Sequence, residues 1–354
     1  MAVNGRTSTK RRDDNRKNII FKTAIMMMIG AALVVFAALG WFAMNKTAST
    51  TGMGIQMKDF PFELEVRGNV IENSEVITDD ELFNEGFTNG VRQSDGLGGY
   101  SDAYRTSDNN DKIFWRTGSS SEYVNGLEPG AHGAMTFYVI PSESGELDVS
   151  FDFNIRGYHA YYDENDELDE LIEITDSLTD TPAKGITNAQ NKKTALNFLK
   201  THVLFFKDYD ENTGYYSGFC DLDSIDFNDF IEGNNKSVVA GRDYEVTVYW
   251  IWVNDFIDLL LETNSNYSGS QMFADNNTED REAIMEYLED TTNNKFFDGL
   301  TDSQIETHLG NLQDNDSAND YNSLKALTDA YDDADLMIGN NVNYMLIEMT
   351  ATAN

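Results

Sequence analysis

The chain has 354 residues and a formal net charge of −36, with 61 acidic against 25 basic side chains. Such an acidic protein repels nucleic acid and anionic membrane surfaces and attracts cations, so the composition excludes a nucleic-acid-binding function. Apolar and aromatic residues occur throughout the chain, which argues against an acidic disordered tail. Cys220 is the only cysteine, so the protein has no intrachain disulfide and folds by packing alone.

The first 44 residues predict export. Residues 1–43 carry seven basic against two acidic side chains, and residues 24–44 carry no charge. About 20 apolar residues are enough to cross a bilayer, and the basic flank stays in the cytoplasm. The sequence therefore predicts a basic cytoplasmic tail at 1–18 and a signal peptide or transmembrane helix at 19–44. The order of basic, apolar and small residues fits a cleaved signal peptide, whereas the length fits a retained anchor, and both remain open.

Strand signals dominate the first third of the remaining chain. Short extended segments and one turn, at 126–130, are predicted from alternating side chains between Gly, Asn and Asp residues. The predicted strands lie at residues 52–58, 62–68, 112–116, 134–140 and 147–155. The last of these has the clearest alternation, with apolar side chains at the odd positions and polar ones at the even positions. This pattern predicts a strand that is buried on one face.

Helical spacing of apolar residues follows in the second half. The predicted helices lie at residues 189–203, 279–290, 301–309 and 319–337. Thr301-Asp302-Ser303-Gln304 has the pattern of a capping box, which predicts the start of the third helix.

Two further strands are predicted among and after these helices. Residues 244–253 are apolar on both faces, which indicates a central strand, and residues 341–350 form the closing strand. We therefore interpret residues 45–354 as an acidic extracellular domain that is mainly β. It is a jelly-roll-like β-sandwich with helical insertions at about 189–203 and 254–337. A separate helical domain is the weaker alternative, because the final strand would then have no partner.

Motifs of known enzymes are absent from the sequence. The four histidines, His132, His159, His202 and His308, fall on different predicted elements without the spacing of metal ligands, and no HExxH, CxxC, GxSxG, Walker or GxGxxG pattern occurs. We therefore expect a non-enzymatic protein with neither catalytic nor cofactor-binding residues. An exported hydrolase that uses two carboxylates is the distant alternative.

One acidic segment has the pattern of a cation-binding loop. Asp208, Asp210 and Asn212 alternate along the chain and precede a turn at Gly214, so several oxygens can point at one calcium ion. The segment is no EF-hand, because its glycine comes one residue late and Phe219 takes the place of the last glutamate. The sequence predicts Ca²⁺ binding by Asp208, Asp210 and Asn212, with a solvated acidic turn as the alternative.

The aromatic segment Tyr249-Trp250-Ile251-Trp252 also allows two interpretations. Exposed aromatic rings in such a row can bind carbohydrate. Core packing in a sandwich is the commoner use of these residues, and it is the interpretation that we favour.

Three parts of the chain together resemble the TasA/camelysin group of Gram-positive surface proteins, which are exported with a SipW-type signal peptidase. The apolar segment runs through Trp41 and Phe42 into the strand that contains Gly52 and Gly54. Residues 124–130, Val-Asn-Gly-Leu-Glu-Pro-Gly, are similar to the N-x-L-x-P-G turn of that group. A helical insertion followed by a closing strand completes the resemblance.

The resemblance implies a jelly-roll sandwich that serves as a subunit of extracellular fibres or of a biofilm matrix. It also implies that residues 47–58 can add as a strand to the next subunit, which would satisfy an open sheet edge. The alternative is that they form the first strand of their own sheet. We expect an exported, self-associating protein whose partner is a second copy or another surface protein. The alternative function is a membrane-tethered extracellular module that binds carbohydrate or cations.

Overall fold

The computed structural model describes most of the chain from Met53 onward, and Met53–Asn354 group into one compact unit. The described residues are 53–55, 61–70, 87–94, 97, 99–106, 112–118, 128–166, 168–220, 225–231, 237–259, 272–274, 277–291, 295–313 and 317–353. The predicted apolar helix at 19–44 lies outside these residues. Within them, no helix combines the length and hydropathy that a membrane span requires.

The part of the chain that the structure describes forms two large sheets, and the first has six strands there, all paired antiparallel. Their spatial order is β1 (Met53–Ile55), β2 (Phe62–Val66), β7 (His132–Pro141), β15 (Tyr244–Trp252), β11 (Val203–Asp210) and β12 (Tyr215–Cys220). β15 lies at the centre of this sheet, between β7 and β11, as its two apolar faces predict.

The second large sheet is also antiparallel and has eight strands within the described ranges. Seven of them follow the order β10 (Leu168–Glu173), β9 (Val149–Tyr162), β16 (Tyr344–Ala353), β6 (Lys112–Gly118), β5 (Tyr100–Thr106), β4 (Phe87–Ser94) and β3 (Asn69–Val70). The eighth strand, β13 (Ile225–Asp226), pairs with β9. Two short strands, β8 (Gly145–Glu146) and β14 (Ser237–Val238), form a separate ribbon.

Aromatic side chains from both sheets meet in one core. Phe137 of the six-stranded sheet lies between Trp115 and Phe151 of the eight-stranded sheet, with ring centroids 5.9 and 4.9 Å apart. Phe153 and Phe205 make a third contact between the sheets at 5.5 Å. Because both inner faces supply buried side chains, the two sheets pack face to face. The prediction of a mainly β protein with antiparallel sheets is confirmed.

The described residues also form four α-helices: α1 (Ala189–His202), α2 (Thr278–Glu289), α3 (Asp302–Gln313) and α4 (Ser317–Asn341). Helices α2, α3 and α4 follow β15 and contribute to a second core with the outer faces of β11, β12 and β15. That core includes Phe206, Tyr216, Ile284, Leu309 and Tyr331. It explains why β15 is apolar on both faces. Short 3-10 helices at Pro182–Lys184, Phe227–Phe230 and Phe256–Leu259 occupy connections.

Candidate functional site

The predicted calcium ligands lie in the hairpin between β11 and β12. One carboxylate oxygen of Asp210 accepts hydrogen bonds from the backbone and side-chain nitrogens of Asn212 at 2.9 and 3.1 Å. The other accepts from the hydroxyl of Thr213 at 2.9 Å. These bonds, the backbone one first, lower the pKa of Asp210 because they stabilise its ionised form. Gly214, with φ of +77°, closes the turn.

The other two predicted ligands are also used within the hairpin. Asp208 accepts a 2.8 Å hydrogen bond from the backbone N–H of Tyr209, and the side-chain nitrogen of Asn212 points to Asp210. Across the described residues, no group of three or more His, Cys, Asp or Glu side chains is placed to hold a metal ion. The acidic turn is accounted for by its own hydrogen bonds, and calcium binding stays a prediction.

The aromatic segment of β15 is part of the two cores. Trp250 and Trp252 are each 1% exposed, and Tyr249 and Ile251 pack on the second core beneath the helices. The two tryptophan rings are therefore not accessible to a sugar in the folded protein, and Tyr249 is partly exposed. The interpretation of this segment as core packing is confirmed.

His202 is fully buried at the joint between α1, α4 and β15. Its Nδ1 lies 2.7 Å from Oδ1 of Asp335, and its Nε2 lies 2.8 Å from the carbonyl oxygen of Phe296. The same Asp335 oxygen accepts a 2.9 Å bond from the indole N–H of Trp252. The ring of Tyr331 stacks on the imidazole with centroids 4.3 Å apart. Because the buried imidazole is not accessible to a substrate, the role of these contacts is to hold α1, α4 and β15 together.

A second polar cluster lies where α1, β9 and the start of β16 meet. Nδ1 of His159 is 3.1 Å from Nζ of Lys192 and 3.1 Å from Oδ1 of Asn343. Burial lowers the pKa of Lys192, and burial together with the nearby lysine charge lowers the pKa of His159. The sequence analysis missed this cluster, because its members are distant in sequence and follow no local motif.

A cavity of about 220 Å³ lies between β9 and α1. Arg156 at its wall donates two hydrogen bonds to the carboxylate of Glu173, at 2.8 and 2.7 Å. Lys193 at the same wall donates to the backbone oxygen of Asp176. Lys200 also lines this cavity, so its wall carries three cations, of which Arg156 is paired with a carboxylate.

One edge of the six-stranded sheet, β12, is covered by other parts of the chain. The carboxylate of Asp280, at the start of α2, accepts hydrogen bonds from the backbone N–H groups of Gly218 and Phe219 at 2.9 and 2.7 Å. The carbonyl oxygen of Met272 accepts from the N–H of Tyr216 at 2.9 Å. Three backbone donors of β12 are therefore bound outside the sheet, which blocks the addition of another strand there.

The opposite edge consists of the short strand β1. Its residues Met53, Gly54 and Ile55 pair with Val66, Glu65 and Leu64 of β2. Among the described residues, β1 is the outermost strand on this side, and it pairs in cis with its own sheet. The rest of the predicted donor segment, residues 47–52 and 56–58, lies outside the described residues.

Comparisons with protein-family models, with curated proteins and with solved structures found no match for this chain.

Proposed function

We propose that this chain is an exported, non-enzymatic surface or matrix protein that self-associates through the β1 edge of its six-stranded sheet. The observation that carries the proposal is the difference between the two edges. The carboxylate of Asp280 and the carbonyl of Met272 cover β12, whereas on the other side the outermost strand among the described residues is β1, whose Met53–Ile55 pair with β2. A strand that pairs at the edge of a sheet can be exchanged for the same segment of another copy.

Strand exchange of this kind conserves the backbone hydrogen bonds. Each bond contributes only about 0.5–1.5 kcal/mol net, so the pairing of an edge strand can open one bond at a time. An identical segment from a second subunit can then form the same bonds, and each subunit in turn offers its own segment. Heterologous contacts of this type continue into a fibre unless they close into a ring.

The N-terminal sequence supports a location outside the cell. The basic tail and the apolar segment at 19–44 direct the acidic domain across the membrane, with its N-terminus on the cytoplasmic side. The jelly-roll topology and the role in a fibre or biofilm matrix follow from the resemblance to the TasA/camelysin group. The partner in this proposal is a second copy of the same chain.

The test is deletion of residues 47–58 from the exported protein. We expect the deletion variant to keep its circular dichroism spectrum and a cooperative thermal transition, because the two cores lie elsewhere. We also expect it to remain monomeric in sedimentation velocity, where the parent protein forms polymers that electron microscopy detects. A point variant, Gly54→Pro, removes one N–H from β1, and Gly54→Ala retains it and serves as the matched control.

Polymers that form equally well without residues 47–58 would contradict the proposal. A monomeric parent protein whose melting temperature rises with a sugar or with calcium would favour the alternative, a tethered binding module.

A further inference from the structure

His159, Lys192 and Asn343 bring an imidazole, an amine and a carboxamide together, with Lys192 buried and the other two residues partly exposed. Lys192 is only 7% exposed, although it lies in the first turns of α1. Its Nζ and Oδ1 of Asn343 both lie 3.1 Å from the same atom, Nδ1 of His159. In a chain with 61 acidic side chains, a buried lysine normally has a carboxylate partner. No such partner is found for Lys192 among the described residues.

The hydrogen-bond partners fix which groups are donors. Nε2 of His159 faces the carbonyl oxygen of Lys184 at 3.1 Å, so Nε2 carries a proton. Oδ1 of Asn343 accepts a 2.8 Å bond from the backbone N–H of Ala160, so this atom is the oxygen of the amide. Nδ1 of His159 therefore faces a second acceptor, and it can donate only when the ring holds two protons.

Lys192 can supply the second proton, because its Nζ lies 3.1 Å from Nδ1 of His159. If its ammonium transfers a proton to Nδ1, both ring nitrogens donate to oxygen acceptors, and Lys192 becomes a neutral amine. Burial lowers the pKa of Lys192, so its ammonium gives up a proton more readily than that of an exposed lysine; burial lowers the pKa of His159 as well, so the imidazole holds this proton only transiently. The carbonyl of Asn343 then receives two N–H groups, from Ala160 and from His159, which polarise it for attack in the manner of an oxyanion hole. The backbone N–H of Asn343 also donates to the carbonyl oxygen of Tyr158 in β9 at 2.8 Å. This bond holds Asn343 beside β9.

We propose that Lys192 and Asn343 form an intramolecular isopeptide bond, with His159 as the group that carries the proton. The lone pair of Nζ attacks Cγ of Asn343, the new bond Nζ–Cγ forms, and the negative charge develops on Oδ1. The bond Cγ–Nδ2 then breaks. Nζ loses two protons in all: His159 passes one to the leaving nitrogen, which becomes ammonia, and the other converts that ammonia to ammonium. The products are a secondary amide and an ammonium ion, so no oxidant or other reactant is needed.

The isopeptide bond would link α1 covalently to the residue that precedes β16. Lys192 is in α1 and Asn343 directly precedes β16, so the closed loop contains β11, β12, β15 and helices α2, α3 and α4. A covalent link between these points restricts the unfolded chain, as a disulfide does. It would supply that restraint in a protein whose single cysteine can form no disulfide within the chain.

A simpler role for Lys192 is to bind the end of a helix. Its Nζ also donates to the carbonyl oxygen of Asn341 at 3.2 Å, the last residue of α4. A lysine in this position stabilises the helix C-terminus without any covalent change. The two roles differ in mass, because the isopeptide bond removes one molecule of ammonia.

The experiment is mass spectrometry of the folded protein together with peptide mapping. We expect the intact protein to be about 17 Da lighter than the mass of its own measured sequence span. Trypsin digestion should yield one branched peptide that contains Lys192 and Asn343, uncut after Lys192. The variants Lys192→Arg and Asn343→Ala should restore the full mass and lower the melting temperature. Lys193→Arg, the adjacent lysine of α1, is the matched control and should keep the 17 Da loss.

His159→Ala tests the proton carrier separately. We expect this variant to fold but to form the bond at least about tenfold more slowly, measured as the fraction of light protein against time after refolding. Separate, unmodified peptides around Lys192 and Asn343 in the folded wild-type protein would overturn the proposal. A 17 Da loss that persists in Lys192→Arg would overturn it as well.

Discussion

Asp335 connects three elements through one carboxylate. Its oxygen Oδ1 is the partner of His202 in α1 and of Trp252 in β15, while Asp335 itself belongs to α4. Both donors are buried, and His202 is fully enclosed. A buried donor that loses its acceptor costs more than the bond contributed, because water cannot replace the acceptor.

We therefore expect Asp335→Ala to lower the free energy of unfolding by about 3 kcal/mol, since it leaves two buried N–H groups unpaired. Urea denaturation followed by tryptophan fluorescence measures this loss. The control is Asp333→Ala, an exposed position of the same helix, for which we expect a change within about 0.5 kcal/mol. Equal losses in the two variants would show that Asp335 contributes no more than an ordinary surface residue.

The residues of the proposed isopeptide bond show why this cluster is invisible in the sequence. Lys192 and His159 are 33 positions apart, and His159 and Asn343 are 184 apart. Each residue type is common, and none belongs to a motif of fixed spacing. Only the packing of α1 against β9, followed by the return of the chain into β16, brings the three side chains together.

At the scale of the elements, β12 shows how an edge strand can be protected by one side chain. Asp280 is the third residue of α2 and is 7% exposed, and its two oxygens bind Gly218 and Phe219 of the edge. The position near a helix N-terminus also favours its negative charge.

We expect Asp280→Ala to lower the free energy of unfolding by about 1–3 kcal/mol, because two backbone N–H groups lose their acceptor. The freed edge should also promote association that is unrelated to β1. Chemical denaturation and light scattering measure the two effects. Glu279→Ala changes the adjacent, exposed acid and should leave both properties unchanged. If Asp280→Ala remained as stable and as soluble as that control, the edge would owe its protection to other contacts.

The success of the strand predictions depended on where the charges lie. β15 was predicted correctly because both faces pack on apolar cores, and β9 because its inner face alternates with polar residues. β5 was missed. Its residue Asp102 is 1% exposed and binds Arg92 of β4 and Arg116 of β6, so the strand is stabilised by ion pairs between neighbours. In the sequence, an aspartate such as Asp102 is typical of a loop. Its arginine partners cannot be recognised until it is known which strands pair.

The candidate assembly edge was predictable only in part. The resemblance placed a donor strand at residues 47–58, and residues 53–55 do lie at an outer edge. The contrast with the covered edge could not be predicted, because it depends on Asp280 and Met272, which are more than 50 residues from β12 in the chain.

For the whole molecule, the net charge of −36 opposes any self-association. Identical subunits repel each other, and this repulsion is screened over about 10 Å at 0.1 M salt. We expect the initial rate of assembly to rise on the order of tenfold when sodium chloride increases from about 20 to about 200 mM. Light scattering measures the rate.

Two controls separate screening from other effects of salt. Sucrose at matched osmolality should not accelerate assembly, because it screens no charge. Calcium chloride at matched ionic strength should act as sodium chloride does, unless the hairpin with Asp208, Asp210 and Asn212 binds the ion as predicted. If the assembly rate fell with sodium chloride, attraction between opposite charges would drive assembly. Strand exchange that is slowed by repulsion between the subunits would then be contradicted.

The position of β16 has a consequence for the order in which the protein can be made. β16 lies between β9 and β6 in the middle of the eight-stranded sheet, although it follows every other described strand in the chain. While residues 344–353 are still on the ribosome, β9 and β6 lack the strand that joins them, and the sandwich cannot close. If the protein is exported as we propose, we expect a chain that still lacks residues 344–353 in the sheet to be unfolded enough to pass a translocation channel.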